Sequence, residues 1–184
     1  MEDQELVKKF LTFDDEGALQ TLIRRYLQPI YNFVYSSVRD RHQAEDITQD
    51  VFIKAWAHLK NFDQSKSFKV WIYTIAKNSV YDFLRKKKTI PFSLLEEEGQ
   101  IYEIADVEPL PDKILRDADE GKKLNAALEK LPLNYRDLIV LYYQNGFNFR
   151  EIAEILKTSV NTVKSRHLRA IAMLKKILRK KDFQ

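Results

Sequence analysis

Phe147-Asn148-Phe149-Arg150-Glu151-Ile152-Ala153-Glu154-Ile155-Leu156, followed by Lys157-Thr158-Ser159-Val160-Asn161-Thr162-Val163-Lys164-Ser165-Arg166-His167-Leu168-Arg169-Ala170, reads as two helices around a short break. Asn148 with Glu151 three residues later makes a capping-box start for the first helix. Ile152, Ala153 and Leu156 then keep one apolar face at helical spacing. Lys157-Thr158-Ser159 interrupts that pattern, and either Ser159 or Asn161 suits the cap of a second helix. There Val163, Leu168, Ile171 and Leu174 are expected to face inward, leaving Lys164, Ser165, Arg166 and Arg169 on the other faces near its start. A helix that reads DNA needs its N-terminal residues at base edges and its cations on phosphates. Spacing alone fits a solvated basic amphipathic helix equally well.

Charge around this motif is unevenly spread. The 184 residues carry a formal net charge of +4. Residues 91–115 hold seven acids (Glu96, Glu97, Glu98, Glu103, Asp106, Glu108, Asp112) against the single base Lys113. Val160 to Gln184 contains eight Lys/Arg and one acid, and Arg85-Lys86-Lys87-Lys88 forms a second basic cluster. With Pro91, Gly99, Pro109 and Pro111, the acidic stretch reads as a flexible linker. The expected fold is therefore all-α: a helical domain over 1–90, an acidic linker over 91–115 and a helix-turn-helix domain over 116–184. Two basic modules joined by an acidic strap suit a nucleic-acid partner. A strap that merely stays solvated is the plainer reading.

Composition agrees with helices and a core. Aliphatic and aromatic residues make up 45% of the chain, which has four Gly and five Pro. Cysteine is absent, so neither a disulfide framework nor a thiolate metal site is possible,. The acidic Met1-Glu2-Asp3-Gln4-Glu5 does not resemble a signal peptide, and no run approaches the roughly 18 apolar residues of a membrane span. A soluble cytoplasmic protein is expected.

In the first part, Leu19, Leu22, Ile23, Tyr26 and then Ile30, Phe33, Val34, Val38 keep helical spacing, with a kink or restart expected at Pro29. Asp40 is placed to cap a helix running through Leu59, with Ile47, Val51, Ala55 and Leu59 as its buried stripe. Asp46, Gln49, Asp50 and Lys54 occupy other faces, and Phe52 and Trp56 make a second apolar pair. That pair fits either internal packing or an external partner. An aromatic segment follows: Phe62, Phe68, Trp71, Tyr73, Tyr81 and Phe83, ending at Arg85. Aromatics beside cations suit unstacked bases, worth roughly 1–3 kcal/mol each. Ile72, Ile75, Ala76, Ser79 and Phe83 are expected to be its buried face, leaving only some aromatics for a ligand.

No catalytic constellation is visible. His42, His58 and His167 are not at metal-ligand spacing, and no Gly-rich phosphate loop or nucleophile elbow occurs,. Asp46 and Asp50 lack a third ligand for a cation. No cofactor, metal or small-molecule substrate is expected. Two classes other than the one below remain open: an autonomous helix-turn-helix repressor or activator, which would dimerise, and a nucleic-acid enzyme, which would need an acid/base or metal site.

Ala44-Glu45-Asp46-Ile47-Thr48-Gln49-Asp50-Val51-Phe52-Ile53-Lys54-Ala55-Trp56 resembles the A-E-D-hydrophobic-x-Q-[ED]-x-F segment of bacterial extracytoplasmic-function (ECF) sigma factors. Phe68-Lys69-Val70-Trp71-Ile72-Tyr73-Thr74-Ile75-Ala76-Lys77-Asn78, with Asp82-Phe83-Leu84-Arg85, resembles their F-x-x-W-[LI]-x-x-I-A-x-N-x-x-x-D-x-[LF]-R segment. Leu131-Pro132 to Arg136, Gly146 to Ala153 and Thr162-Val163-Lys164-Ser165-Arg166 resemble L-P-x-x-x-R, G-x-S-[YF]-x-E-I-A and T-V-K-S-R. The order is right and nearly the whole chain is covered. Asn161 departs from the Gly many relatives carry before T-V-K-S-R, and Tyr142 stands where relatives often have Arg.

The resemblance implies an alternative sigma factor, not an enzyme, that joins core RNA polymerase at the beta-prime clamp and the beta flap and directs it to promoter DNA. Core binding would fall to Asp46, Gln49, Asp50 and Phe52. Phe68, Trp71, Lys77, Asn78 and Arg85 would meet the minus-10 element, its flipped base held between Asn78 and the loop from Asn61 to Phe68. Asn161, Thr162, Lys164, Ser165, Arg166, Leu168 and Arg169 would meet the minus-35 element. The acidic linker would thread polymerase channels. A membrane-bound anti-sigma factor is the implied regulator, holding the protein at the inner face of the membrane until a signal releases it.

Overall fold

The computed structural model describes residues 1–87 and 124–179. The expected linker over 91–115, Lys88 and the chain beyond Arg179 lie outside the described residues. α1 (Asp3–Phe13), α2 (Glu16–Val38), α3 (Arg41–His58) and α4 (Phe68–Lys86) make the first half, with a 3-10 turn at Leu59–Asn61. A helical stretch at 124–128, α5 (Leu133–Ile139), a π turn at Val140–Gln144, α6 (Phe149–Leu156) and α7 (Val160–Arg179) make the second. No strand occurs among the described residues.

Short polar side chains set where the helices begin. Asp15 accepts from the Ala18 amide, Asp40 from the Gln43 amide at 3.0 Å, and Ser67 from the Val70 amide. Asn148 and Glu151 form the expected capping box, and Ser159 takes the Thr162 amide at 3.0 Å. Each satisfies a donor that helix geometry leaves unpaired, worth about 1 kcal/mol. Asp14, Arg39 and Lys157 close α1, α2 and α6 in the left-handed region, with φ of 52°, 59° and 52°. At Pro29 the sequence led us to expect a kink or restart, yet α2 is a single helix through it. The buried contacts of Tyr26, Ile30, Phe33 and Val34 on either side hold it together.

The α3 stripe is buried as expected: Ile47, Val51, Ala55 and Leu59 are all inside. α4 buries more than one stripe. Ile72, Ala76 and Ser79 are inside as expected, whereas Ile75 and Phe83 are only half-buried. Val70, Tyr73, Val80 and Leu84 are buried too. The reason is that α4 packs on α2 and α3 with one face and on α6 with another. A single apolar core thus runs through both halves.

Candidate nucleic-acid interface

Three exposed helix faces carry the residues singled out from the sequence. On α3, Asp46, Gln49 and Asp50 are exposed. At about 100° per residue they share one face, and Ile53 lies near its centre. Ile53 is 65% exposed and Trp56 54%, with the Trp56 ring 5.4 Å from that of Phe10 on α1. Phe52 does not join them. It is half-buried and lines an apolar groove with Leu22, Ile23, Ala55, Trp71 and Ile72. The large apolar residue on the acidic face is therefore Ile53, which its spacing of three from Asp50 and four from Gln49 would have revealed.

On α4, Trp71, Asn78 and Arg85 stand seven residues apart, two helical turns each, and so share a face with Thr74. All four are half-buried or exposed. Phe68 does not share this face. It is 5% exposed, edge-on to Tyr26 and Phe62 and tilted against Trp71, so it belongs to the core, where removal from water and the ring contacts stabilise it,. Its contacts give Trp71 a fixed seat, with Phe62 4.9 Å away. Arg85 pairs with Asp82 at 2.7 Å, an exposed pair that competes weakly with any phosphate,. Lys77 turns to the α6 side, its ammonium 4.4 Å above the Tyr81 ring. Burial lowers its pKa, and the nearby Asp137 opposes that shift.

The loop before α4 is organised by Asp63. Its carboxylate accepts from the Ser65 amide at 3.0 Å and the Ser65 hydroxyl at 2.7 Å. These bonds hold the carboxyl below the usual range, so the loop keeps its charge at neutral pH,. Asn61, Gln64, Ser65 and Lys66 are exposed around it.

On α7, Val163, Ile171 and Leu174 are buried as expected. Leu168, also expected inside, is 40% exposed. Helical geometry gives the reason: Leu168 lies four residues from Lys164 and seven from Asn161, on the far side from Val163. Asn161, Lys164, Ser165 and Leu168 thus form one stripe at the start of the helix. The Ser165 hydroxyl donates to the Thr162 carbonyl at 3.0 Å, and the Thr162 hydroxyl is 2.8 Å from that of Ser159, so Thr162 serves the helix start. Arg166 and Arg169 are half-buried on a flank.

Aromatic contacts fix the angle between α6 and α7. The His167 ring lies 5.0 Å from Tyr142, 5.7 Å from Tyr143 and 5.2 Å from Phe149, and Tyr142 stacks on Phe149 at 4.9 Å. Burial lowers the His167 pKa, so the ring is neutral at pH 7,. The π turn brings both tyrosines to this cluster, and Gly146, at φ +67°, lets the chain reverse into α6,. Sequence reasoning passed over this cluster.

A supported two-helix unit whose second helix shows a polar, cationic N-terminal stripe is a helix-turn-helix of a DNA-binding protein. Among the described residues, no cluster of His, Cys, Asp and Glu is arranged to hold a metal ion, and no helix is long and apolar enough to cross a membrane.

Comparison with known proteins supplies the family. Sigma-70 region 2 matches residues 22–90 and Sigma-70 region 4 matches residues 122–174. The chain is 34% identical over 170 residues to the ECF RNA polymerase sigma factor SigW of Bacillus subtilis, covering 90% of this chain and 91% of that one. It is 31% identical over 160 residues to the B. subtilis ECF sigma factor SigM, covering 85% and 93%. The structure resembles that of the sigma factor RpoE of Bartonella quintana, solved with the anti-sigma factor NepR: TM-score 0.68, 26% identity, 88% of this chain and 96% of that one. It shares its fold with CnrH, solved with the cytosolic domain of CnrY: TM-score 0.71, 24% identity, 97% of both chains. The chain belongs to the ECF family of RNA polymerase sigma factors. It is a transcription regulator that directs RNA polymerase to promoters.

Proposed function

We propose how the three faces divide that work. α3 binds core polymerase through Asp46, Gln49 and Asp50 around Ile53, with Trp56 at the edge. α4 and the Asp63 loop take the minus-10 element: Asn78 and Trp71 receive a base as the duplex opens, and Arg85 holds backbone phosphate. α7 reads the minus-35 element with Asn161, Lys164, Ser165 and Leu168, while Arg166 and Arg169 hold phosphates from its flank. The chain has no catalytic step of its own and acts in the cytoplasm. An anti-sigma factor, the class of partner NepR is for B. quintana RpoE, keeps it inactive until a signal arrives, and a membrane-anchored one would hold it at the inner face.

The α7 stripe carries this reading, because its Asn161, Lys164 and Leu168 are exposed at the start of a helix whose Val163, Ile171 and Leu174 are buried in the core. A gel-shift on promoter DNA with and without core polymerase tests it. Specific binding and run-off transcription are expected only with core present. Tight binding by the chain alone, as a dimer, would favour an autonomous repressor and overturn the division of labour.

A further inference from the structure

The buried residues of α7 form an apolar stripe with an ionisable ring in its middle. Val163, Ala170, Ile171 and Leu174 are buried. At about 100° per residue, Ala170 lies about 20° from Val163 on one side, with Leu174 about 20° and Ile171 about 80° on the other. His167, about 40° round, projects from between them. Lys164, Leu168 and Asn161 are exposed and lie about 100°, 140° and 160° round,. An aliphatic side chain would fill this core position at no electrostatic cost. The chain places an imidazole there instead, half-buried, so that water and protons still reach it.

The ring is held by aromatic neighbours from both segments that support α7. Tyr142 and Tyr143 come from the π turn, the latter stacked on the imidazole, and Phe149 comes from the first turn of α6. Nε2 lies 3.3 Å from the Tyr143 hydroxyl. One imidazole thus ties the reading helix to the π turn and to α6 together. The charged side chains on the elements packed here are Arg136 and Asp137 of α5, Arg150, Glu151 and Glu154 of α6, and Lys164, Arg166 and Arg169 beside His167 on α7. Glu151 is engaged by the Asn148 amide, Asp137 by Ser37 and Arg136 by the Leu128 and Leu131 carbonyls. Burial is what lowers the His167 pKa, because a proton would place a charge against three rings instead of in water,.

We propose that neutral His167 is a positioning residue for minus-35 recognition: seated among Tyr142, Tyr143 and Phe149, it holds α7 at the rotation that presents Asn161, Lys164 and Leu168, and its protonation releases that hold. The inference rests on the reading of α7 as the minus-35 reader. Linkage gives the sign. Out of its seat the ring has the ordinary pKa of 6.5, and seated it has a lower one. DNA selects the seated helix, so the bound state carries fewer protons than the free chain. Affinity for the element therefore falls as pH drops through and below 6.5. Between pH 7.5 and 5.5 the loss is several-fold, with about tenfold as the ceiling when the bound state excludes the proton completely. A solvent-facing histidine beside phosphates would do the reverse, gaining a proton on binding and tightening the complex in acid.

The test uses the full-length chain with core polymerase and a duplex from which that holoenzyme initiates in run-off transcription, paired with the same duplex scrambled around minus 35. Fluorescence anisotropy gives the ratio of the two affinities from pH 7.5 to 5.5. Titrations in polymerase that act on both duplexes alike cancel in this ratio. The wild-type ratio is expected to fall several-fold toward acid. His167→Gln and His167→Leu, neither of which titrates, should each give a ratio independent of pH over that range, whatever its level at pH 7.5. The Asp137 carboxyl, which burial raises to about 6, titrates in the same window but is present in all three chains, so the difference between them isolates His167. A wild-type ratio that stays flat, or one that rises in acid because rings or phosphates hold the imidazolium, overturns the proposal. So do variants that keep the wild-type pH profile. A wild-type ratio near one already at pH 7.5 would instead show that α7 does not read the minus-35 element, and would take down the functional reading together with this inference.

Discussion

Ile53→Ala should weaken core-polymerase binding without weakening the fold. The side chain is 65% exposed, so the folded chain gains little from it and truncation is expected to change stability by no more than about 0.5 kcal/mol,. Full burial of an isoleucine side chain is worth roughly 1.5–3 kcal/mol. If the partner covers the two thirds still exposed, removing most of the side chain forfeits about 1–2 kcal/mol. Affinity for core enzyme then falls about 5- to 30-fold. The assay is equilibrium competition between labelled wild-type chain and each variant for core polymerase, with thermal melts of the free proteins alongside. Asp50→Arg, on the same face, should also weaken binding. Phe52→Ala should instead lower melting temperature, since Phe52 is packed against the core. An Ile53→Ala affinity equal to wild type, with Asp50→Arg impaired, would show that the partner reads the charges of α3 and leaves its apolar centre in water.

Three further outcomes follow from the same contacts. Asn148→Ala removes the acceptor for the Arg150 and Glu151 amides and should cost about 1 kcal/mol, seen as a lower urea midpoint with unchanged slope,. Phe68→Ala should cost about 3–5 kcal/mol of stability, whereas Asn78→Ala should leave stability and closed-complex binding nearly intact and slow strand opening in permanganate footprints. Lys164→Ala and Arg169→Ala, measured on single-base promoter variants, should separate base reading (about 1–3 kcal/mol lost at one base pair) from phosphate holding (all promoters weakened, salt slope reduced by about one).

The helices were legible because their ends are written in short polar residues. Asp40, Asn148 and Ser159 each accept the backbone amide their position implies. Pro29 misled because a proline removes one intrahelical bond, a local cost that the packing of its neighbours outweighs. Phe52 and Leu168 misled for another reason: each was placed by its size and polarity, while the angle around the helix axis decided. Counting residues from Asp50 points to Ile53, and counting from Lys164 puts Leu168 outside. The tilt of α6 on α7 was out of reach, since it depends on a π turn that carries two tyrosines to His167, and no local pattern announces an extra residue in a turn.

How the two halves meet was the least legible feature, and α4 shows why. Its sequence has more apolar positions than one stripe requires: beyond Ile72, Ala76 and Ser79 there are Tyr73, Val80 and Leu84 about a third of a turn round the helix,. That surplus announces a second packed face but not its occupant. The occupant is specified by partners about 70 to 100 residues away, Asn145 for Tyr73 and Asp137 for Ser37, each an ordinary polar residue within its own segment. A third α4 face remains for Thr74, Asn78 and Arg85, half-buried or exposed, with Trp71 seated against Phe62 and Phe68 at its end. One helix thus serves as wall of the first half, as seat for the second and as a surface for a ligand. The roles overlap at Tyr73, whose ring is edge-on both to Phe147 of the second half and to Phe33 of α2, so the seat for the second half is built from a side chain that the first half also packs.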